Sequence, residues 1–415
     1  SRGNLRTKLD VAAVLSTLAG VGWTFVVFSS LRSQILTFSQ AAAGVLLGTH
    51  AIIMLINGHF WLGLIVLIVV LGDTLWMCRA RSRVRFVEVL LDMIVHVLRR
   101  RQRIVYITLG ASIVQSVYFV MWSHLLVGVL ARADGSTSDW VTIVFLLVSL
   151  RWTCGLIKHI VTVSVAGTFA VWLNASASSA RTTEKLTGPQ AGAGTDVVPT
   201  GGGGGAERPS TPFVRFENYA PTDFLRQAVT TNLGSVCAGS LVGVASPLLW
   251  ALHRATSRCA RARTRRIHRA AVSATALIDA ILRRSHKYSY VQVATKGKSW
   301  FASARDTWTS FMARGVEGVV YDDCSDRLLL FGCYVGGGFL ALILGATINT
   351  DRHWIVSALV IFWMGFAGVG LALTMMEACV SALIVCFAEV PQCLSTFNPI
   401  IYHRFVRISE LRAFR

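Results

Sequence analysis

Long, unbroken apolar runs constrain this chain more than any other feature. Residues about 11–31, 35–56, 59–78, 104–131, 141–174, 226–252, 327–349 and 354–389 are each dominated by apolar side chains without a two-residue alternation. A helix rises 1.5 Å per residue, so about 20 such residues cross the hydrocarbon core of a bilayer. Only α-helices and closed barrels satisfy their backbone hydrogen bonds in lipid, and continuous runs point to helices. The expected class is therefore all-α: a polytopic membrane helix bundle of about eight to nine membrane-embedded segments. Charged residues make up 15% of the chain, against roughly 25% in soluble domains, and mean hydropathy is +0.57. A soluble globular enzyme is not expected on these grounds.

The net charge of +19 is concentrated between the apolar runs, where it sets orientation by the positive-inside rule. No nucleic-acid partner is expected. Arg79, Arg81, Arg83 and Arg85 lead into VRFVEVLLDMIVHVL at 84–98, which begins at Val84 and includes Arg85; its apolar face is broad and its Glu88, Asp92 and His96 lie on or near the other face. With RRRQR at 99–103 following, this reads as a basic amphipathic helix on the cytoplasmic surface. A second basic segment, HRATSRCARARTRRIHR, occupies 253–269. Arg79–Arg103 and Arg254–Arg269 are the expected contacts for anionic lipid headgroups.

The chain divides into N-terminal membrane helices at 1–174, a Gly/Ser/Pro-containing linker at 175–225, and a C-terminal membrane region at 226–415 ending in a polar tail. The linker has the composition of a flexible coil, and its GGGGG is not followed by the Lys-Ser/Thr of a phosphate loop. The 141–174 run is either one tilted helix or two half-spans broken near Gly155. If 79–103 is cytoplasmic and both 141–174 and 226–252 cross once, seven arginines of 253–269 fall outside, against the positive-inside rule. A hairpin at 141–174 or an incomplete crossing at 226–252 resolves this. The cysteines show no CxxC pair, so free thiols packed in helices are expected, Cys379 and Cys386 among them. No metal site and no cofactor are expected, and no GxSxG, HExxH or Walker sequence is present.

The stretch HKYSYVQVATKGKSWFASARDTWTSFMARGVEGVVYDDCSDRLLLFG and the terminal MMEACVSALIVCFAEVPQCLSTFNP resemble the choline transporter-like family of multipass membrane proteins. LRQAVTTNLGSVCAGSL, HIVTVSVAGTFAVW and FWLGLIVLIVVLGDTLWMCRARSRVRF are similar to further elements of that family, so the likeness covers nearly the whole chain. The chain lacks an initiating Met and, by this resemblance, begins near the family's second span. Two positions depart from the family pattern: Ser381-Ala382 stands where an aspartate-threonine pair is usual, and Val390 follows the terminal glutamate in place of aspartate. The resemblance implies transport of choline or a related small cation such as ethanolamine in a multi-pass protein of the plasma membrane, internal membranes being the alternative. A non-transporting scaffold or trafficking protein that binds anionic lipid is the competing reading.

A quaternary ammonium ion donates no N–H bond and is held by aromatic faces, at about 0.5–2 kcal/mol per ring, and by carboxylates. Ionisable residues inside spans are default site candidates. Glu377, in the middle of 354–389, is the leading one, as a cation-pathway residue or as the partner of a basic group such as Lys158. Asp73 and Trp76 lie within one turn on one face. Tyr118 and Trp122 share a face at i and i+4; Trp152, next to Arg151, and Trp363 complete the aromatic set, each with ordinary packing as its alternative. His159 carries a weaker expectation of a proton-linked role. Gly167, Gly234, Gly239, Gly297, Lys298 and Arg305 fall in the family-like motifs and are read as structural or gating positions. Gly297 in particular is expected to break a re-entrant or broken helix at 289–312.

Overall fold

The computed structural model describes residues 2–28, 32–100, 102–132, 136–187, 221–259, 286–348 and 354–413, and every regular element among them is helical. In chain order these are α1 (Arg2–Phe28), α2 (Arg32–Ile56), α3 (Phe60–Arg100), α4 (Gln102–Arg132), α5 (Thr137–Thr187), α6 (Pro221–Val229) and α7 (Leu233–Cys259). They continue with α8 (Ser289–Lys296), α9 (Trp300–Ala313), α10 (Glu317–Asp322), α11 (Ser325–Ile348), α12 (Trp354–Glu389), α13 (Pro391–Phe397) and α14 (Pro399–Ala413). Among the described residues seven helical stretches are long and apolar enough to cross a membrane, or eight if one bent pair forms a span. The all-α polytopic architecture follows. Most of the second basic segment, including residues 260–269, lies outside the described residues.

Four elements differ in their bounds from the sequence expectation. The third span and the basic amphipathic stretch form one helix, because no Gly or Pro interrupts residues 73–100 and the arginines are good helix formers. Its second half turns its apolar face onto protein and leaves Arg85, Asp92 and His96 exposed. Val84, Val87, Leu90, Leu91, Ile94 and Leu98 are buried in the main core, and Glu88 and Asp92 border a mainly apolar cavity of about 270 Å³ with Trp23 and Met376. The 141–174 run lies inside a single helix, α5, with no break at Gly155. The run at 226–252 is not a simple span: α6 and α7 meet at 72° across residues 230–232. Asn232 stabilises the corner by donating from Nδ2 to the Val293 carbonyl oxygen at 3.1 Å. Finally, the polar tail forms α13 and α14, with Leu394, Ile401 and Phe405 buried.

α12 is the axis of the bundle, packed against α11, α1 and α5. Lipid tails are as apolar as leucine, so close van der Waals packing, not water exclusion, holds such helices together. Small residues make it possible where α11 meets α12: a Cβ on Gly365 would stand 2.6 Å from the Gly336 carbonyl oxygen. From Leu371 to Ala388 every residue of α12 is buried except Glu377, which is partly open.

Candidate functional site

The opening at Glu377 leads into a cavity of about 360 Å³ between α4, α5, α11 and α12, lined by Gln115, Arg151, Lys158, Asp326, Trp363 and Glu377 among others. Glu377 Oε2 is 2.8 Å from Lys158 Nζ of α5. A lone carboxylate at this depth is expensive, and the ammonium offsets that cost. Both alternatives offered for Glu377 therefore meet at one place: it faces a cavity, and it is paired with Lys158.

Two of the candidate tryptophans are brought to this region, each with a guanidinium on its face. Arg151 lies 5.5 Å from the ring centroid of Trp363, which also stacks on Phe366 at 5.3 Å. Arg327, another residue of the lining, lies 4.8 Å from the ring centroid of Trp76, and Asp73 is within its electrostatic reach. The remaining aromatic candidates serve elsewhere. Trp122 is buried and donates from Nε1 to the Leu146 carbonyl oxygen at 3.0 Å. The Tyr118 hydroxyl donates to the Ser149 carbonyl oxygen at 3.2 Å. Both fasten α4 to α5. Trp152 is 37% exposed and does not border the cavity.

Beside the cavity, α8 is held at both ends. Lys287, just before it, pairs with Asp323 at 2.8 Å and with the cavity residue Asp326 at 2.5 Å. The Tyr288 hydroxyl donates to the same Asp323. At the far end Lys296 Nζ and Gln292 Nε2 both reach Glu389 Oε1, at 2.5 and 2.9 Å, at the close of α12. Residues 288–295 are buried. The helix stops at Gly297, whose φ of +63° is a left-handed C-cap. Lys298 then bonds Asp306 of α9 at 2.6 Å and holds that carboxyl below the usual carboxylate range. Arg305 Nε is 3.8 Å from the same carboxylate.

The family-like glycines divide by what surrounds them. A Cβ on Gly167 would meet the Phe224 ring of α6 at 2.6 Å, and one on Gly239 would meet the Tyr290 hydroxyl and, at 2.8 Å, Trp300 Nε1. Nothing lies within 4 Å of the corresponding point on Gly234. His159 stacks on Tyr290 with ring centroids 4.4 Å apart, and its Nδ1 is 2.8 Å from Ser240 Oγ, so it ties α5 to α7 and α8.

Sequence reasoning passed over Arg151, except as a neighbour of Trp152, and over Lys287, Asp323, Asp326 and Arg327. The one available signal was DDCSDR at the entrance to a span, a density of charge that lipid does not accept without partners.

Residues 61–392 match the family described as plasma-membrane choline transporter. A CTL-like protein of Dictyostelium discoideum is 24% identical over 414 residues, covering 99% of this chain and 68% of its own length. Protein PNS1 of Cryptococcus neoformans is 24% identical over 370 residues, 82% of this chain and 61% of its own. Protein PNS1 of Mycosarcoma maydis is 23% identical over 349 residues, 78% of this chain and 58% of its own. This chain thus spans roughly three fifths of the length of these two PNS1 relatives.

Proposed function

This chain belongs to the plasma-membrane choline transporter family, and on that premise we propose that it carries choline, or a related amine such as ethanolamine, across the membrane through the cavity at Glu377. The observation that carries the reading is the Glu377–Lys158 pair on the wall of a 360 Å³ cavity. A carboxylate is the natural counter-ion for an incoming ammonium, and Lys158 is an internal stand-in for it. Substrate entry is then an exchange: the ammonium takes Glu377 and Lys158 swings away. Trp363 and Phe366 supply the apolar face that a methylated ammonium prefers to bulk water. The Ser381 hydroxyl, at the position where the resemblance places an aspartate, donates to the Glu377 carbonyl oxygen at 2.9 Å, so Glu377 is left as the acidic group of this stretch of α12.

The buried α8, tied to Asp326 at the cavity and to Glu389 at the end of α12, supports a gating or positioning role for the Gly297 break. Arg79, Arg83 and Arg85 are exposed along one stretch of α3 and fit contact with anionic headgroups of the plasma membrane. The test is uptake of labelled choline and ethanolamine into proteoliposomes. Saturable uptake that Glu377→Gln reduces at least about tenfold supports the reading. A folded wild-type protein with no saturable flux of either amine contradicts it.

A further inference from the structure

The cavity holds more positive charge than a site for a bare cation calls for. Lys158 and Arg151 both line it, two helical turns apart on α5. Arg151 extends toward Lys158, since its Nη1 stands 3.4 Å from where a Cβ on Gly155 would be. Glu377 faces this pair, but its Oε2 is taken by Lys158. No ion pair to Arg151 occurs among the described residues. Asp326, the other carboxylate of the lining, is committed to Lys287 at 2.5 Å. Gln115, only 2% exposed, also borders the cavity, and its buried Nε2 has no hydrogen-bond partner among the described residues. A guanidinium without a carboxylate thus shares the lining with the Lys158 ammonium, and a residue with an unsatisfied amide donor stands in the same wall.

Within the reading of this cavity as the substrate site, we propose that it takes, besides the bare amine and more tightly, a small zwitterion: an ammonium group a few bonds from a carboxylate or phosphate. Its ammonium takes Glu377. Its anionic end is held by Arg151, Gln115 and the Lys158 ammonium that the exchange has set free. A bare cation satisfies Glu377 but strands Lys158 beside Arg151, adding positive charge to a lining that already holds Lys158, Arg151 and Arg327. A zwitterion satisfies Glu377, Lys158 and Arg151 together: glycine betaine leaves the net charge of the cavity unchanged, and phosphocholine, whose phosphate carries close to two charges at pH 7, lowers it by about one. The guanidinium fork and the amide are suited to planar carboxylate or tetrahedral phosphate oxygens.

The test is equilibrium binding to the purified full chain in phosphatidylglycerol nanodiscs, which contain no choline lipid. The probes are choline, glycine betaine, phosphocholine and inorganic phosphate. The expected result is that glycine betaine or phosphocholine binds about tenfold or more tightly than choline. Which of the two leads identifies the anionic group. Arg151→Met is expected to remove that preference, Arg151→Lys to keep part of it, and Gln115→Leu to reduce it. The wild-type ratio stands as a test even if Arg151→Met does not fold. Choline binding as tightly as both zwitterions, with Glu377→Gln abolishing it, overturns the zwitterion and leaves the cation site intact. Inorganic phosphate binding as tightly as the better zwitterion also overturns the proposal. No binding of either zwitterion while choline binds overturns the zwitterion alone; binding of any probe that is indifferent to both Arg151→Met and Glu377→Gln, or no binding of choline or either zwitterion, overturns the substrate-site reading with it.

Discussion

Lys158 Nζ of α5 sits 2.8 Å from Glu377 Oε2 of α12, joining the long central helix to its neighbour inside the membrane region. Removing one member of a fully buried ion pair costs about 3–5 kcal/mol, because the other charge is left uncompensated. Here the side chains are 40% and 20% exposed, so the cost is smaller. Lys158→Met alone and Glu377→Met alone are each expected to destabilise by about 1–3 kcal/mol. The double substitution is expected to cost less than the sum of the two. A double-mutant cycle on detergent unfolding measures the coupling; strictly additive effects would show that the pair has no energetic content.

Gly239 and Gly234 lie on the same helix and invite opposite outcomes. Gly239→Ala drives a methyl into the Tyr290 hydroxyl and Trp300, at an expected cost of about 1–3 kcal/mol. Gly234→Ala meets nothing and gains about 0.5–1 kcal/mol in helix propensity. Thermal unfolding of the two variants side by side settles the comparison. Equal shifts would mean that α7 does not pack on α8 and α9 as described.

Gly297 terminates α8 at φ +63°. Gly297→Ala forces a Cβ into the left-handed region and is expected to cost about 1–2 kcal/mol, whereas Gly297→Asn, which tolerates that conformation, is expected to cost less. Unfolding midpoints in that order check it; an alanine variant at least as stable as the asparagine variant contradicts the left-handed cap.

His286, outside the candidate spans, donates from Nε2 to the Ala304 carbonyl oxygen at 3.1 Å. Burial pushes its pKa down to about 4. A folded pKa below the unfolded value of about 6.5 means that the unfolded chain binds the extra proton first. The contribution of His286 is therefore complete above pH about 6.5 and is lost as pH falls toward 4, by roughly 3 kcal/mol. Thermal melts between pH 7 and 4 should show this slope. His286→Gln, which retains an N–H for Ala304, should flatten it, and an unchanged slope would assign the acid sensitivity to other groups.

The spans and their helical class were legible because lipid leaves the backbone so few options. Glu377 was legible for the same reason: an acid in the middle of an apolar run stands out. What stayed hidden needed three dimensions. Arg151 sits inside the α5 run, and only the packing of α5 against α12 places it on Trp363. The aromatic periodicity that groups Tyr118 with Trp122 is the same for a cage and for packing, and here both rings bond to α5 backbone. The 84–98 stretch has the amphipathic pattern of a surface helix, but a pattern reports an apolar face, not whether lipid or protein covers it. Glu88 and Asp92 border a cavity of about 270 Å³ that opens to the surface at Val89 and Asp92. The 72° corner at 230–232 rests on Asn232 bonding to Val293, a contact between residues far apart in the chain.

The exchange at Glu377 makes Lys158 a competitor of the substrate, and the most direct test is the affinity for choline in three proteins measured side by side. Occupancy of Glu377 by an internal ammonium lowers apparent affinity by the fraction of time the carboxylate is free. Lys158→Met is expected to tighten choline binding by about tenfold, and Glu377→Gln to weaken it by at least the same factor. Opposite shifts of this kind place the ammonium on Glu377. Choline affinity that is unchanged in a folded Glu377→Gln protein, or weakened in Lys158→Met, would contradict the account.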